Sequence, residues 1–338
     1  MERYDLFTGR QQGYHLYRIP ALVVTPSGTV LAFCEGRRYT SRDDDEIDIL
    51  LRRSFDGGRT WEARQIVVSD GDRTCGNPCP VVDGQTGTVF LPFCKDNQDV
   101  FVCRSEDDGE TWSPPAEITS GVKDSSWSWV GTGPGHGIQL TNGRLLIPAC
   151  ANDSPGPAPW RDPPADTLGY LQSSYAFFSD DHGETWQRGA KMTLDASDEF
   201  EAVEMSDGTV YANMRSRQGH LCRASAWSRD GGETWSEVEY DPALPDSSCQ
   251  GSIVRFDADR ILLSHPSHID RRAGLTVRLS RDNCRTWPVS RVLEPWDASY
   301  SDLAVTDDGR ILCLYEARQG YHRLVLARFG IEWVENPA

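Results

Sequence analysis

Residues Ser54 to Trp61 read SFDGGRTW, and the same octad returns as SEDDGETW from Ser105, SDDHGETW from Ser179, SRDGGETW from Ser228 and SRDNCRTW from Ser280. The shared template is S-x-D-x-G-x-T-W. Five copies of a five-position template are not chance, so the chain is built from repeats. The octad is chemistry for a turn. Its Ser and Asp can cap backbone N–H groups, its Gly takes a positive φ, and its Trp can pack into a sheet. A calcium loop is the other reading of D-x-D-x-G, but the glutamate such a loop needs at position twelve does not follow. In the last copy Cys284 stands at the glycine position, which points to a distorted turn.

A second repeat runs out of phase with the first. TPSGTVLAFCE, DGQTGTVFLPFCK, LTNGRLLIPACA, MSDGTVYANMR, FDADRILLSHP and TDDGRILCLYE share one grammar: a Gly/Asp/Asn turn, then Thr or Arg, then β-prone residues. An apolar run precedes each turn, so each reads as a β-hairpin. Two strands flank the hairpin turn and two more flank the octad. Four antiparallel strands per unit make a propeller blade. The expectation is therefore an all-β chain, a six-bladed β-propeller of four-stranded antiparallel sheets, with residues 1–338 forming a single domain. No octad follows the sixth hairpin. The N-terminal segment is expected to supply the last strand beside HRLVLARFGIEW. No helical periodicity of useful length occurs.

Composition narrows the function. The 338 residues carry 34 Lys+Arg against 51 Asp+Glu, a formal net charge of −17. Such a chain is a poor partner for nucleic acid or an anionic membrane. No run of 18 apolar residues suggests a transmembrane helix. The start, MERYDLFTGR, has neither the basic segment nor the apolar core of a secretory signal. Ten cysteines are present. Cys75 and Cys79 have no second pair to complete a zinc site, and several others sit in apolar runs. Buried free thiols in a reducing cytoplasm are the expectation, with a removed leader as the other possibility.

Tyr17-Arg18-Ile19-Pro20 precedes the first hairpin, and YRIP followed by these octads resembles the sialidase superfamily. The likeness covers nearly the whole chain. AFCEGR, NPCP from Asn77, GPGH from Gly133, CQGS from Cys249, YSDL from Tyr300 and CLYEA from Cys313 are similar to the animal sialidases, the cytosolic one included. The resemblance implies a retaining exo-α-sialidase that removes terminal sialic acid from glycans. It implies no metal and no organic cofactor.

Sialic acid bears a carboxylate on its anomeric carbon, and that fact shapes the site. Planar guanidinium groups hold a carboxylate best. The resemblance points to Arg18, Arg215 and Arg272, from three different units, with Arg271 adjacent as the other candidate for the third. A carboxylate nucleophile would meet like-charge repulsion, whereas a phenol does not; sialidases are the tyrosine exception among glycosidases. Tyr300 matches that position. A phenol needs a base, for which Glu199 aligns and Glu201 is the alternative two residues on. The leaving oxygen needs an acid. Counting back from LRR in RRYTSRDDDEIDILLRR selects Asp43, with Asp44 and Asp45 beside it. Crowding among the three is expected to raise at least one pKa. Glu316 resembles the residue that orients Arg18, and Glu35 lies near that arginine in the family. Asn77 and Gln250 are candidates for substrate hydroxyls or the N-acyl group. His136, His265 and His268 are expected to be structural or at the rim. The Pro-rich stretch ANDSPGPAPWRDPPADTLG is expected to cover one side of the mouth. The rival readings are a non-catalytic glycan-binding propeller, a trans-sialidase and a hydrolase for deaminated sialic acid.

Overall fold

A computed structural model describes residues 1–152, 172–192, 197–317 and 323–336. Most of the Pro-rich stretch lies outside these. The described residues form an all-β structure of five antiparallel sheets in a propeller-like arrangement.

The chain opens with β1 (Glu2–Thr8). The first sheet follows in chain order, β2 (Leu16–Val24), β3 (Val30–Arg37), β4 (Ile47–Ser54) and β5 (Gln65–Val68). The second holds β6 (Cys75–Gly76), β7 (Val81–Val82), β8 (Val89–Lys95), β9 (Asp99–Ser105) and β10 (Ala116–Glu117), then the one-turn helix α1 (Thr119–Val122). The third holds β11 (Trp129–Thr132), β12 (Ile138–Gln139), β13 (Leu145–Asn152), β14 (Gln172–Ser179) and β15 (Gln187–Lys191). The fourth comprises β16 (Ser197–Glu204), β17 (Val210–Ser216), β18 (Cys222–Ser228) and β19 (Glu239–Pro245). The remaining strands are β20 (Ser252–Arg255), β21 (Ile261–Pro266), β22 (Ala273–Ser280), β23 (Val289–Val305), β24 (Arg310–Ala317) and β25 (Arg323–Gly330), before α2 (Ile331–Glu335).

These last six strands and β1 make one seven-stranded sheet. The 17-residue β23 serves both of its halves: its first part pairs with β22 and its second with β24. The halves turn face to face. Leu275, Val277 and Leu279 of β22 pack in one cluster with Cys313 and Tyr315 of β24. Similar apolar clusters bind each sheet to the next, such as Phe33 and Leu51 against Leu91 and Phe93. The alternation in each strand that faces these clusters is what the period-two sequence pattern encodes.

All six hairpin turns occur where the second repeat places them. β1 pairs with β25, from Glu2↔Arg328 to Thr8↔Arg323, so the N-terminal segment supplies the strand beside the C-terminal one. IEW, read as the end of a strand, opens α2 instead. Its Val334 is buried and its Trp333 packs on Phe329, so tertiary packing overrides a short β-prone pattern.

The octads are turns with one shared hydrogen-bond set. In the first, Ser54 Oγ accepts from the Gly58 N–H at 2.9 Å, and Asp56 accepts from the Thr60 N–H at 2.8 Å and its hydroxyl at 2.7 Å. A side chain at the glycine position also has nowhere to go in some copies: at Gly183 a Cβ would lie 2.3 Å from the Phe90 ring. The expected distortion at Cys284 is not found. Cys284 adopts φ 61°, its N–H reaches Ser280 Oγ at 3.0 Å, and the Thr286 N–H reaches Asp282 at 2.9 Å. Cysteine takes the left-handed conformation here at modest strain. All ten cysteines are buried free thiols.

Candidate active site

A cavity of about 1010 Å³ opens at the end of the assembly where β3 ends and β16 begins. Arg18, Glu199, Arg215, Arg272 and Tyr300 all line it, although they come from five different strands or strand ends. Their convergence has local causes. The pairing of β2 with β3 is interrupted between Arg18 and Ala21. Ile19 there takes φ 56°, a conformation costly for a β-branched residue. The Ile19 N–H donates to Glu316 Oε1 at 3.1 Å, which holds the bulge. Tyr300 sits in the comparable irregularity of β23, between Ala298 and Ser301.

Glu316 grips Arg18 through both oxygens, at 2.9 and 3.2 Å, as the resemblance implies. Arg215 donates Nη1 to Glu199 Oε2 at 2.8 Å and to the Tyr300 hydroxyl at 3.1 Å. Its Nε meets Ser248 Oγ at 3.2 Å. Arg272 donates to Ser299 Oγ and to the Ser248 carbonyl, each at 3.2 Å. Arg272 lines the cavity, whereas Arg271 is exposed outside it. The Tyr300 hydroxyl donates to Glu199 Oε1. The guanidinium carbons of Arg18 and Arg272 lie 5.1 and 5.3 Å from the centre of the Tyr300 ring. Burial pushes the phenol well above its ordinary pKa, and the Glu199 carboxylate adds to this. The three arginines pull the other way without winning. The resting site thus holds a neutral phenol poised on a carboxylate.

Asp43 lies at the mouth, 2.7 Å from Arg37 Nη1 and 3.8 Å from Arg18 Nη1. At Asp43 the raised pKa expected from carboxylate crowding is not found. Partial withdrawal from water pushes the group up, but Arg37 and Arg18 outweigh this and hold it below the usual carboxylate range. Its side chain is 67% exposed, so solvent screens part of that pull. Asp44 is turned to Arg42 at 2.7 Å, and Asp45 accepts from the Tyr39 and Thr40 N–H groups at 2.9 and 2.6 Å. Of the three, only Asp43 lines the cavity.

Glu35 faces Arg18 across the strand pair, yet its partner is Arg37, whose Nη2 and Nε both donate to Glu35 Oε2, at 2.6 and 2.9 Å. Its other oxygen accepts the Asn77 N–H at 2.8 Å. Asn77 lines the cavity. Gln250 does not, and its proposed contact with substrate is corrected. It is buried beneath the site, donating to Glu201 and to the Ser301 carbonyl at 3.2 and 3.0 Å and accepting the Ser301 N–H at 3.0 Å.

Glu201 likewise lies one layer down. It shares a face with Glu199, as alternation requires, but it meets Ser252 Oγ at 2.8 Å and the Ile253 N–H at 2.9 Å. Asp302 sits beside it, two residues below Tyr300. It accepts from His136 Nδ1 at 2.7 Å, from Ser252 at 2.9 Å and from the Leu22 N–H at 2.6 Å. Burial and Asp302 push Glu201 well above its ordinary value. Burial pulls His136 down, but the two carboxylates outweigh it and raise its pKa to about 9. Every carboxylate oxygen of this group already accepts an N–H or O–H. His136 is therefore a buried structural partner. His265 is buried too, with Nδ1 on the Pro266 carbonyl and Nε2 on Arg278, while His268 is exposed.

Several cavity residues were not read from the sequence. Arg37 was legible in principle, because it stands two residues beyond Glu35 on the same strand and must share its face. Asp198 is fully buried, 3.3 Å from Arg215 and paired with Arg217. Trp129 and Asn97 carry no motif; the fold alone brings them in.

A cavity set in propeller-like sheets with turn-forming octads defines a class, and residues 28–313 match the family model described as a BNR repeat-like domain. The sialidase of Micromonospora viridifaciens is 33% identical over 98% of this chain, although the chain spans only 54% of that relative. The exo-alpha-sialidase of Aspergillus fumigatus is 30% identical, over 96% of this chain and 86% of its own length. Sialidase-2 of Cricetulus griseus is 30% identical, over 95% and 94%. Among solved structures, a Hadza microbial sialidase superposes with a TM-score of 0.88 at 29% identity, covering 98% of this chain and 69% of that one. The chain belongs to the sialidase family.

Proposed function

We propose that the chain is a retaining exo-α-sialidase acting on sialylated glycans through a covalent sialyl-tyrosine. The scaffold is read as a single domain of six blades, with the two halves of the seven-stranded sheet counted separately. One observation carries the reading: the Tyr300 hydroxyl is hydrogen-bonded to Glu199 amid Arg18, Arg215 and Arg272.

Arg18, Arg215 and Arg272 hold the substrate carboxylate. This places the anomeric carbon over the Tyr300 oxygen. Asp43 protonates the glycosidic oxygen as the C–O bond breaks and positive charge develops on the ring. Glu199 takes the phenolic proton while the Tyr300 oxygen bonds to the anomeric carbon, and Arg215 stabilises the developing phenolate. Asp43, now a carboxylate, deprotonates water, which displaces the tyrosine; Glu199 returns the proton. Two displacements give retention.

Wild-type protein should release the fluorophore from a methylumbelliferyl α-sialoside. Proton NMR should show the α-anomer of the free sugar first. A first-formed β-anomer would remove the double displacement. A protein that binds sialosides without turnover would instead be the non-catalytic rival.

A further inference from the structure

Two of the three site arginines share one bracket that belongs to neither of their strands. Ser248 lies in the connection between β19 and β20. Its hydroxyl accepts from Arg215 Nε at 3.2 Å, and its backbone carbonyl accepts from Arg272 Nη2 at 3.2 Å. Arg215 reaches it from β17 and Arg272 from the residue just before β22, so one residue spans the gap between neighbouring sheets.

The backbone at this point is held for the purpose. Ser248 has φ 58°, an unfavourable conformation for a residue with a Cβ that persists only where its surroundings enforce it. Those surroundings are built. Arg223 is fully buried and donates Nη1 to the Cys249 carbonyl at 2.9 Å. The Cys249 N–H donates to the buried Asp246 carboxylate at 3.3 Å, and Asp246 lies 3.6 Å from Arg223. The Cys249 side chain packs with Ile19 and Tyr300. The connection is thus clamped on both sides of the residue that carries the two acceptors.

We infer that Ser248 is a positioning residue that fixes the angle between the Arg215 and Arg272 guanidiniums, and so sets the site's selectivity for a carboxylate over an uncharged group of similar shape. A guanidinium is a planar fork, and its value in carboxylate recognition lies in its orientation. Arg215 also has Glu199 and Tyr300 on Nη1, so its tilt couples the clamp to the attacking oxygen. This inference rests on the sialidase reading of the same cavity.

The test uses two probes, 2-deoxy-2,3-didehydro-sialic acid and its methyl ester, with affinities from calorimetry. The Ser248→Ala and Ser248→Gly variants remove the hydroxyl, and glycine tolerates the left-handed backbone without strain. Both variants should weaken binding of the acid by about tenfold, the scale of a lost charge-assisted hydrogen bond, and leave the ester within about twofold. They should raise KM for a methylumbelliferyl α-sialoside more than they lower kcat. An unchanged ratio of acid to ester affinity overturns the inference, whether both affinities stay or both fall together. If Ser248→Ala fails to fold, Ser248→Gly carries the measurement, because its backbone needs no change. Sialoside turnover by wild type with that ratio unchanged in the variants removes the role of Ser248 alone. A wild type that turns over no sialoside removes both readings.

Discussion

Tyr300 and Asp43 show opposite ways of holding a proton. The phenol is kept neutral by burial and by Glu199, so in the proposed mechanism it attacks only as Glu199 takes its proton. Tyr300→Phe should lower turnover of natural sialosides by roughly 10³-fold or more, the scale seen when a nucleophile is removed; near-wild-type steady-state rates would discard the assignment. Asp43→Ala should cost about 10²–10⁴-fold on substrates with poor leaving groups. It should cost less on a nitrophenyl sialoside, whose leaving group needs little protonation. The pH profile follows from the arginines beside Asp43. In the free protein they hold its pKa low, so the protonated acid is scarce at neutral pH and kcat/KM should decline as pH rises. In the proposed complex the substrate carboxylate sits on Arg18 and cancels part of that pull. The falling limb of kcat should therefore lie at higher pH than that of kcat/KM, and coincident limbs would contradict the coupling. The motif residues were legible because each carries unusual chemistry in a recognisable setting. Arg37 was legible only through the face it shares with Glu35, and Ser248 was not, because its contacts with Arg215 and Arg272 depend on a backbone φ of 58°, which no side-chain pattern reports.

At the level of the strand, the site is two storeys of the same elements. β16 carries Glu199 above Glu201, and β23 carries Tyr300 above Asp302. The lower pair is tied together through His136 and Ser252. Glu201→Ala should destabilise the fold by about 3–5 kcal/mol, since it leaves buried partners uncompensated, and Glu201→Gln should cost less; denaturant unfolding measures both. The imidazole adds a pH dependence. Its folded pKa of about 9 lies above the ordinary 6.5, so its stabilisation is complete below that ordinary value and is lost as pH rises through about 9. His136→Gln should flatten the fall in stability over that window, and an unchanged slope would count against a charged imidazole. The sequence showed alternation in β16 but not depth, which is why Glu201 stood as the alternative base and Gln250 was read as able to reach substrate. Depth depends on bulges such as the one between Arg18 and Ala21, and a bulge leaves no fixed mark on residue order.

Across the whole molecule, the two interleaved repeats made the all-β architecture readable, because each turn type demands its own residues. Helix α2 escaped, as short elements set by packing do. The pairing of β1 with β25 was also foreseen, from the missing octad. Removing residues 1–8 should expose the edge of β25 and lose the burial of Leu6 and Phe7, worth roughly 1.5–3 kcal/mol each. A lower Tm and faster aggregation are the expected readouts, and an unchanged Tm would show that the strand is dispensable. That pairing also has a consequence for biosynthesis. β1 emerges from the ribosome before its partner at Arg323–Gly330, which is translated only after residues 9–322. At about 5–20 residues per second, the first strand waits tens of seconds for its mate. During that interval Leu6 and Phe7 are exposed to solvent and chaperones, so slowing translation should lengthen the nascent chain's chaperone-bound lifetime.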